Sequence, residues 1–353
     1  MIFVIRTDAN PVIGNGHLMR CMTFCKLLEP KEVKIHLIYA NLTVFSKEIL
    51  IKTDIELHKI NLKSSIGSLE DANQTKKILE ELPKIDLLII DSYQIDDSWE
   101  KLMVKYTKQI MVIDDLANRS HYCNFLVDQN LRFDNKRYDK LLPPNTKVFL
   151  GPKYAFLREE FYNSNLIRLR NGSLRNILVF FGSGNNNNEI IKILKVINEI
   201  EDKEIKWNLV IGKNIKKFSK YISAKNNLEI IDYTENISKL MYDADLAIGT
   251  CGIAAWERCL LGLPSIVLIT AQNQYEDALI LDKKKAVINL GYSRYVKVNN
   301  LLLNLKNIIQ DEKILIKMSI NSREILKGHR EAIQELVNYV SISLETNRIN
   351  NEN

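Results

Sequence analysis

Short apolar runs alternate with helix-patterned stretches along most of this 353-residue chain, and that alternation limits the folds open to it. Strands that are separated by helices usually pair in parallel, with the helices covering both faces of the sheet. In the first half we predict strands at residues 33–39, 55–60, 87–90 and 110–113, and helices at 24–29, 69–82 and 98–108. The same pattern starts again at Asn176. The sequence therefore predicts an α/β protein with two Rossmann-like, doubly wound domains that face each other across a cleft.

Turn-forming residues suggest where these domains begin and end. Pro143-Pro144 and Gly151-Pro152 interrupt the pattern near the middle of the chain. We predict the segments in this order: an N-terminal domain 1–152, a linker helix 153–173, a C-terminal domain 174–325, a C-terminal helix 326–346 and a frayed polar tail 347–353.

Composition narrows the class of protein. The chain is 46% hydrophobic and 26% charged, as expected for a soluble globular protein. A net charge of +6, spread over scattered basic residues, argues against a nucleic-acid partner. The five cysteines form no CxxC pair, which indicates free thiols in a reducing cytoplasm. Since no apolar run approaches the length of a membrane span, we expect a cytoplasmic protein without stable membrane insertion. We also expect the protein to be a monomer.

The first chemically informative stretch follows the first apolar run. Gly14, Asn15 and Gly16 form a loop that leads into a helix, and His17 lies in the first turn of that helix. Such a junction lies at the carboxyl end of a parallel strand, where ligands bind. The positive end of the helix dipole favours a neutral imidazole over its cation, and a neutral imidazole can act as a general base. The alternative is a histidine that only packs or caps at a helix start.

The second half has its own signal, at residues 249–259. A strand ends at Ile248, and Gly252 opens a helix whose amide groups can bind a diphosphate. Glu257 is placed to accept hydrogen bonds from a ribose diol, and Gln272 lies in a polar loop after the next strand. The alternative is ordinary helix–strand packing, with Glu257 merely exposed.

Several motifs, in order along the chain, resemble the PseG-type UDP-sugar hydrolases of pseudaminic acid biosynthesis. They cover residues 1 to about 290 and read Ile13-Gly14-Asn15-Gly16-His17-Leu18-Met19-Arg20-Cys21, Asp91-Ser92-Tyr93, Asp114-Asp115, the segment from Gly151 to Phe161, and Trp256-Glu257-Arg258-Cys259-Leu260-Leu261-Gly262-Leu263-Pro264. That family is similar to MurG-like, metal-independent inverting glycosyltransferases of the GT-B type.

The resemblance implies an activity and a set of site residues. The substrate would be UDP-2,4-diacetamido-2,4,6-trideoxy-β-L-altropyranose, hydrolysed to UDP and the free sugar, with His17 as the base that activates water. No cofactor and no metal are implied. The substrate-binding residues would be Gly14, Asn15, Gly16, Tyr93, Asn188, Gly252, Glu257 and Gln272.

Two stretches depart from the family pattern. The second-domain loop reads Gly182-Ser183-Gly184-Asn185 and lacks the usual acid, and Asn187 matches the family's substrate-contacting Asn nearly as well as Asn188 does. The nucleotide loop has Ile253 and two alanines where hydroxyl residues are usual, so hydroxyl contacts to the diphosphate are lost while amide contacts remain.

The residues agree with displacement at an anomeric carbon, which needs a base for water and stabilisation of the departing diphosphate. No Asp-x-Asp stands at a strand end, so we expect no metal site. Asp114 is instead expected to cap or to hydrogen-bond in the cleft, and it is also a candidate to orient His17. Two other functions compete with the hydrolase. One is a GT-B glycosyltransferase with a sugar or lipid acceptor, and the other is a nucleotide-sugar-binding protein without catalysis.

Overall fold

The computed structural model describes residues 1–10, 14–28, 33–134, 136–162, 168–182, 184, 186–211, 215–222, 227–232, 234 and 236–352. The chain divides into two compact units. Unit 1 comprises Met1–Phe156 together with Gly328–Asn353, and unit 2 comprises Leu157–Lys327. No helix in the described part of the chain is both long enough and apolar enough to cross a membrane.

Unit 1 is built on a seven-stranded sheet in the order β3-β2-β1-β4-β5-β6-β7, and every pairing between neighbouring strands is parallel. The strands are β1 (Ile2–Thr7), β2 (Lys34–Tyr39), β3 (Glu56–Lys59), β4 (Ile85–Asp91), β5 (Thr107–Ile113), β6 (Phe125–Asp128) and β7 (Lys147–Leu150). The helices are α1 (Gly16–Leu28), α2 (Val44–Leu50), α3 (Leu69–Glu81) and α4 (Asp97–Met103).

Unit 2 is built on a six-stranded parallel sheet in the order β10-β9-β8-β11-β12-β13. Its strands are β8 (Asn176–Phe180), β9 (Lys206–Val210), β10 (Leu228–Ile231), β11 (Leu246–Thr250), β12 (Ser265–Ile269) and β13 (Val287–Tyr292). Its helices are α5 (Asn187–Glu199), α6 (Ile237–Asp243), α7 (Ile253–Leu260), α8 (Tyr275–Lys283), α9 (Val298–Gln310) and α10 (Glu312–Ile325).

The central strands of both sheets are buried on both faces, which is why they read as continuous apolar runs rather than as alternating ones. In each sheet the strand order reverses, between β1 and β4 in unit 1 and between β8 and β11 in unit 2. Ligands of open α/β sheets bind beyond the carboxyl ends of the strands at such a reversal. The predicted class, two parallel doubly wound α/β domains, is confirmed.

The predicted linker helix at 153–173 is wrong for the described residues. Two short 3-10 helices, Pro152–Tyr154 and Glu159–Tyr162, lie in this part of the chain, and residues 163–167 lie outside the described residues. Beyond them, Arg168 and Arg170 donate hydrogen bonds to backbone carbonyls at the ends of α6 and α7, and the backbone there is not helical. These long-range side-chain contacts override the local helical pattern.

The last helix, α11 (His329–Glu352), belongs to unit 1 although it follows unit 2 in the chain. Leu336, Val340 and Leu344 are buried in the same hydrophobic core as the β-strands of unit 1. The Gln109 side chain of β5 also donates a hydrogen bond to the Ser343 hydroxyl. The helix extends through most of the segment predicted to be frayed, to Glu352.

Candidate active site

The loop between β1 and α1 places His17 at the carboxyl edge of the sheet of unit 1. The Gly14 amide donates to the Asn10 carbonyl at 2.8 Å, and Gly14 has a φ of 72°, which only glycine adopts readily. Gly16 is the first residue of α1, and a Cβ built there would meet no atom within 4 Å. Gly14 thus satisfies a conformational need, whereas Gly16 leaves open space beside His17. Residues 11–13 of the motif, including Ile13, lie outside the described residues.

His17 is held by a carboxylate from the neighbouring strand. Its Nδ1 lies 2.5 Å from Oδ1 of Asp91, the last residue of β4. The parallel register places Asp91 beside Thr7, so the ends of β1 and β4 bring the two groups together. Both side chains are buried, with His17 7% exposed and Asp91 1% exposed. This arrangement of a histidine and a buried acid is the one that orients a general base in many hydrolases.

Arg20 in turn holds the Asp91 carboxylate in position. It lies three residues after His17, which puts both side chains on the same face of α1. Its guanidinium donates to both oxygens of Asp91, at 2.6 and 2.7 Å, and to Oδ1 of Asp115 at 2.9 Å. The pairing with Asp91 is bidentate, which fixes geometry as well as charge. Arg20 belongs to the motif at residues 13–21, but the sequence alone did not indicate its role.

The charges in this cluster determine which nitrogen of His17 carries a hydrogen. Burial alone would raise the pKa of Asp91, but the nearby Arg20 and His17 outweigh it and hold that pKa well below its ordinary value. An ionised carboxylate can only accept, so Nδ1 of His17 donates to Asp91. Arg20 has only donors, and its 3.3 Å approach to the same nitrogen is therefore not a hydrogen bond. With Nδ1 engaged in this way, Nε2 is the ring nitrogen that can accept a proton.

Tyr93 completes the surroundings of His17. The two rings meet edge to face, with centroids 4.6 Å apart and an interplanar angle of 83°. The Tyr93 hydroxyl donates to Oδ2 of Asp115 at 2.9 Å. Burial, together with the charge of Asp115, raises the pKa of Tyr93 far above its ordinary value, so the phenol keeps its proton. The structure thus brings Tyr93 beside His17, while its contact with substrate stays a prediction.

Asp114 makes hydrogen bonds as expected, but the prediction that it orients His17 is wrong. The Asp114 carboxylate accepts from the backbone amide of Ala117, from the Arg119 guanidinium and from the Tyr138 hydroxyl. It therefore shapes the turn after β5. Asp91 holds His17 instead, because β4 and not β5 is the neighbour of β1 in the sheet, and the order of strands in a sheet cannot be read from the sequence.

Asn15 has a structural task in the same loop. It is 4% exposed, and its Oδ1 accepts hydrogen bonds from the hydroxyls of Thr43 and Ser46, at 2.8 and 2.6 Å. Thr43 also caps the amino end of α2. The amide group of Asn15 therefore joins the His17 loop to α2, and the predicted contact of Asn15 with substrate remains untested.

In unit 2 the turn from β11 to α7 has the expected form. Gly252 is the N-cap residue of α7, and the nearest atom to a Cβ built there would be Gln274 Nε2, 3.9 Å away. The first amides of a helix have no partner within it, so the open space at Gly252 gives an anion access to them. Gly249 is required for packing, because a Cβ there would lie 2.3 Å from the carbonyl oxygen of Phe180.

Glu257 is not the exposed acid of the alternative interpretation. It is 1% exposed, and both of its oxygens accept from the guanidinium of Arg158, at 2.7 and 2.5 Å. Arg158 is 30% exposed, so the pair has one buried and one accessible end. A ribose diol that approaches Glu257 must share or displace this ion pair. Sequence reasoning missed the role of Arg158, although the residue stood in the quoted segment from Gly151 to Phe161.

Asn188 and Gln272 lie on the surface of unit 2. Asn188 is exposed in the first turn of α5, where Asn186 is the N-cap and donates to the Gly184 carbonyl. Gln272 is exposed and accepts from the Tyr292 hydroxyl at 2.5 Å. Ser183 and Asn185 of the same asparagine-rich loop lie outside the described residues. No described contact of Asn188 or Gln272 tests its predicted role.

A buried arginine to which the sequence analysis gave no role supports the turn from β11 to α7. Arg258 is 2% exposed, and it donates to the Thr250 carbonyl at 2.6 Å and to the Ser265 hydroxyl at 2.9 Å. Burial lowers the pKa of Arg258 below its ordinary value. The residue links α7 to the ends of β11 and β12, which fixes the direction of the helix.

Comparison with known proteins finds a matching family domain and several similar chains. Residues 176–336 match the glycosyltransferase family 28 C-terminal domain. An uncharacterised protein of Methanocaldococcus jannaschii is 26% identical over 94% of this chain and 72% of its own length. The UDP-2,4-diacetamido-2,4,6-trideoxy-beta-L-altropyranose hydrolase of Campylobacter jejuni is 24% identical over 83% of this chain and 100% of its own length.

Solved structures show the same fold. Acinetobacter baumannii MurG aligns with a TM-score of 0.66 at 14% identity, over 96% of this chain and 99% of its own. Phytolacca americana UGT2, solved with UDP-2-fluoro-glucose and pterostilbene, aligns with a TM-score of 0.68 at 14% identity, over 98% and 99%. The resemblance predicted from the motifs is therefore confirmed: the chain is similar to the PseG-type UDP-sugar hydrolases, and it has the two-domain α/β fold of MurG and the UGTs.

Proposed function

We propose that this protein hydrolyses a UDP-linked diacetamido-trideoxyhexose to UDP and the free sugar, as a step of pseudaminic acid biosynthesis. The observation that carries the proposal is the His17–Asp91 pair, held by Arg20 at the carboxyl edge of β1 and β4. The match to the Campylobacter jejuni hydrolase over that enzyme's full length supports the same substrate class.

His17 acts as the general base. With Nδ1 donating to Asp91, Nε2 takes a proton from water while the water oxygen attacks C1 of the sugar. The imidazolium that forms is stabilised by the ionised Asp91, which itself stays unprotonated. The C1–oxygen bond to UDP breaks in the same displacement. Because the proposed reaction uses one base and no covalent nucleophile, it is a single displacement with inversion at C1.

The departing diphosphate is stabilised in unit 2. The amino end of α7 at Gly252 offers backbone amides and the positive end of a helix dipole. Such donors act where negative charge develops in the transition state, so the proposed reaction needs no metal ion. Glu257 takes the ribose diol, with Arg158 released towards solvent or retained beside it.

A glycosyltransferase is the second candidate, because the solved structures that share the fold include glycosyltransferases such as the UGTs. In that reaction an acceptor hydroxyl would replace water at His17 Nε2. A binding protein without catalysis is the third candidate, in which the buried cluster around His17 is purely structural.

The function is tested by incubating the untagged protein with the UDP-sugar in buffer that contains excess EDTA and no acceptor. We expect stoichiometric release of UDP and free sugar. Release only after an acceptor is added would identify a transferase, and loss of activity in EDTA would contradict the metal-independent reaction. UDP-GlcNAc is the matched substrate control, and we expect it to react far more slowly.

A double-mutant cycle tests the pairing of His17 with Asp91. We expect His17→Ala and Asp91→Asn each to lower kcat by about 10²–10⁴-fold with substrate still bound, because Asn fails to fix the correct tautomer. The double variant should be no slower than His17→Ala, since Asp91 acts through His17. Measurement of kcat and KM for all four proteins completes the cycle.

Asp86→Asn is the matched control for that cycle, because Asp86 lies at the other end of β4 and pairs with Lys108. Its kcat should stay within about twofold of the parent protein. Losses that simply multiply in the double variant, or near-normal turnover of His17→Ala, would refute the assignment.

Calorimetry tests the nucleotide site. Glu257→Ala should weaken UDP binding by about 1.5–3 kcal/mol, the scale of a charge-assisted hydrogen bond. The parent protein should also prefer UDP to 2′-deoxyuridine diphosphate, and Glu257→Ala should lose that preference. If UDP affinity is unchanged in the variant, or the preference survives, Glu257 serves only to hold Arg158.

A further inference from the structure

Three side chains with metal-binding atoms converge at the edge of the sheet of unit 1, away from the site described above. Nδ1 of His36 lies 3.0 Å from Nε2 of His58 and 3.4 Å from Oε2 of Glu56. His36 is on β2, and the other two residues are on the edge strand β3. All three ligand atoms lie within 4.8 Å of one another.

The strand register explains why these groups meet. His36 is the direct partner of Glu56 in the parallel pairing of β2 with β3. His58 lies two residues further along β3, and residues two apart point to the same face of a strand. The three side chains therefore share one face by the geometry of the sheet and do not depend on a loop conformation.

Hydrogen bonds among these three side chains cannot satisfy all of their polar atoms. A single atom, Nδ1 of His36, faces both an imidazole nitrogen and a carboxylate oxygen. If Nδ1 carries a hydrogen, it can point well at only one of the two; if it does not, two lone pairs confront each other at one of the contacts. A cation placed between the three atoms would satisfy all of them at once.

We propose that His36, Glu56 and His58 form a binding site for a divalent transition metal of the zinc type. In a tetrahedral zinc site with bonds of about 2.0–2.1 Å, ligand atoms lie about 3.3 Å apart, and the two short separations here bracket that value. Two imidazoles and one carboxylate suit Zn²⁺ better than Mg²⁺ or Ca²⁺, which prefer oxygen ligands. Three protein ligands leave the fourth position to water.

The exposure of the three side chains is also consistent with a site that takes up a metal ion from solution. The His36 side chain is 4% exposed, which fixes its position, whereas Glu56 is 57% exposed. The carboxylate can therefore swing to complete the coordination and leaves an entry path. Among the residues that the structure describes, this is the one group of three such side chains whose ligand atoms converge.

The proposed site is separate from the catalytic base. His36 is paired with Val4 in the β1–β2 register, three residues before Thr7, which lies beside Asp91. At about 3.3 Å per residue the cluster lies about 10 Å back from the carboxyl edge. We therefore expect the metal to stabilise the β2–β3 edge and to leave hydrolysis unchanged, so the two proposals stand or fall separately.

Zinc binding to the untagged, EDTA-stripped full chain tests the proposal by calorimetry with ZnCl₂. We expect one Zn²⁺ per chain, with a Kd at least tenfold weaker in His58→Gln and in Glu56→Gln. Zn²⁺ should also raise the thermal unfolding temperature of the parent protein and not that of His58→Gln, since a ligand that binds only the folded state stabilises it.

Glu229→Gln is the matched control, because Glu229 is an exposed acid on β10, the edge strand of the other sheet. It should bind Zn²⁺ as the parent protein does. Equal Zn²⁺ affinity in the parent protein, His58→Gln and Glu56→Gln, or no binding by the parent protein at micromolar Zn²⁺, would overturn the proposal. Co²⁺ provides a spectroscopic check, because a three-ligand site gives the intense visible absorption of tetrahedral cobalt, and His58→Gln should abolish it.

Discussion

The buried contact between Arg20 and Asp91 is the interaction on which the candidate site depends. Asp91 is almost fully buried, and an ionised carboxylate there is stable only because a guanidinium neutralises it on both oxygens. Breaking such a pair by removing one partner costs about 3–5 kcal/mol. Because the pKa of Asp91 is depressed, this stabilisation is complete above the acid's ordinary value near 4 and is lost as the pH falls further. The Arg20–Asp91 pair fixes the tautomer and the orientation of the His17 side chain.

The fold makes the contact available by placing two strand ends side by side. β1 delivers the glycine loop and His17, and β4 delivers Asp91 at the matching register position, next to Thr7. Unit 2 repeats the arrangement at β8 and β11, where the close approach of Gly249 to Phe180 precedes the open helix end at Gly252. In both units the proposed site residues lie where the strand order reverses, as expected for parallel sheets.

Much of this was accessible from the sequence, because the relevant signals are local. The apolar runs predicted the central strands of both sheets, although not β6 and β7 of unit 1, and the glycine loop placed His17 in the first turn of α1. The predictions that failed depend on contacts between residues that lie far apart in the chain. To choose Asp91 rather than Asp114 as the partner of His17, one must know the order of strands in the sheet. To see that Arg158 pairs with Glu257, one must know how a segment 99 residues earlier in the chain packs against α7. The predicted linker helix failed because Arg168 and Arg170 bind carbonyls elsewhere in unit 2. Nor does spacing reveal that His36 meets His58, since they lie on different strands.

The central claim is that His17, held by Asp91, directs water to the anomeric carbon of a nucleotide sugar. Hydrolysis in ¹⁸O-labelled water tests it most directly, with the label followed by mass spectrometry and the fresh sugar examined by NMR. The account predicts one ¹⁸O atom in the sugar, none in UDP, and a product of the opposite anomeric configuration to the substrate. Label in the β-phosphate of UDP, or a sugar of retained configuration, would contradict it.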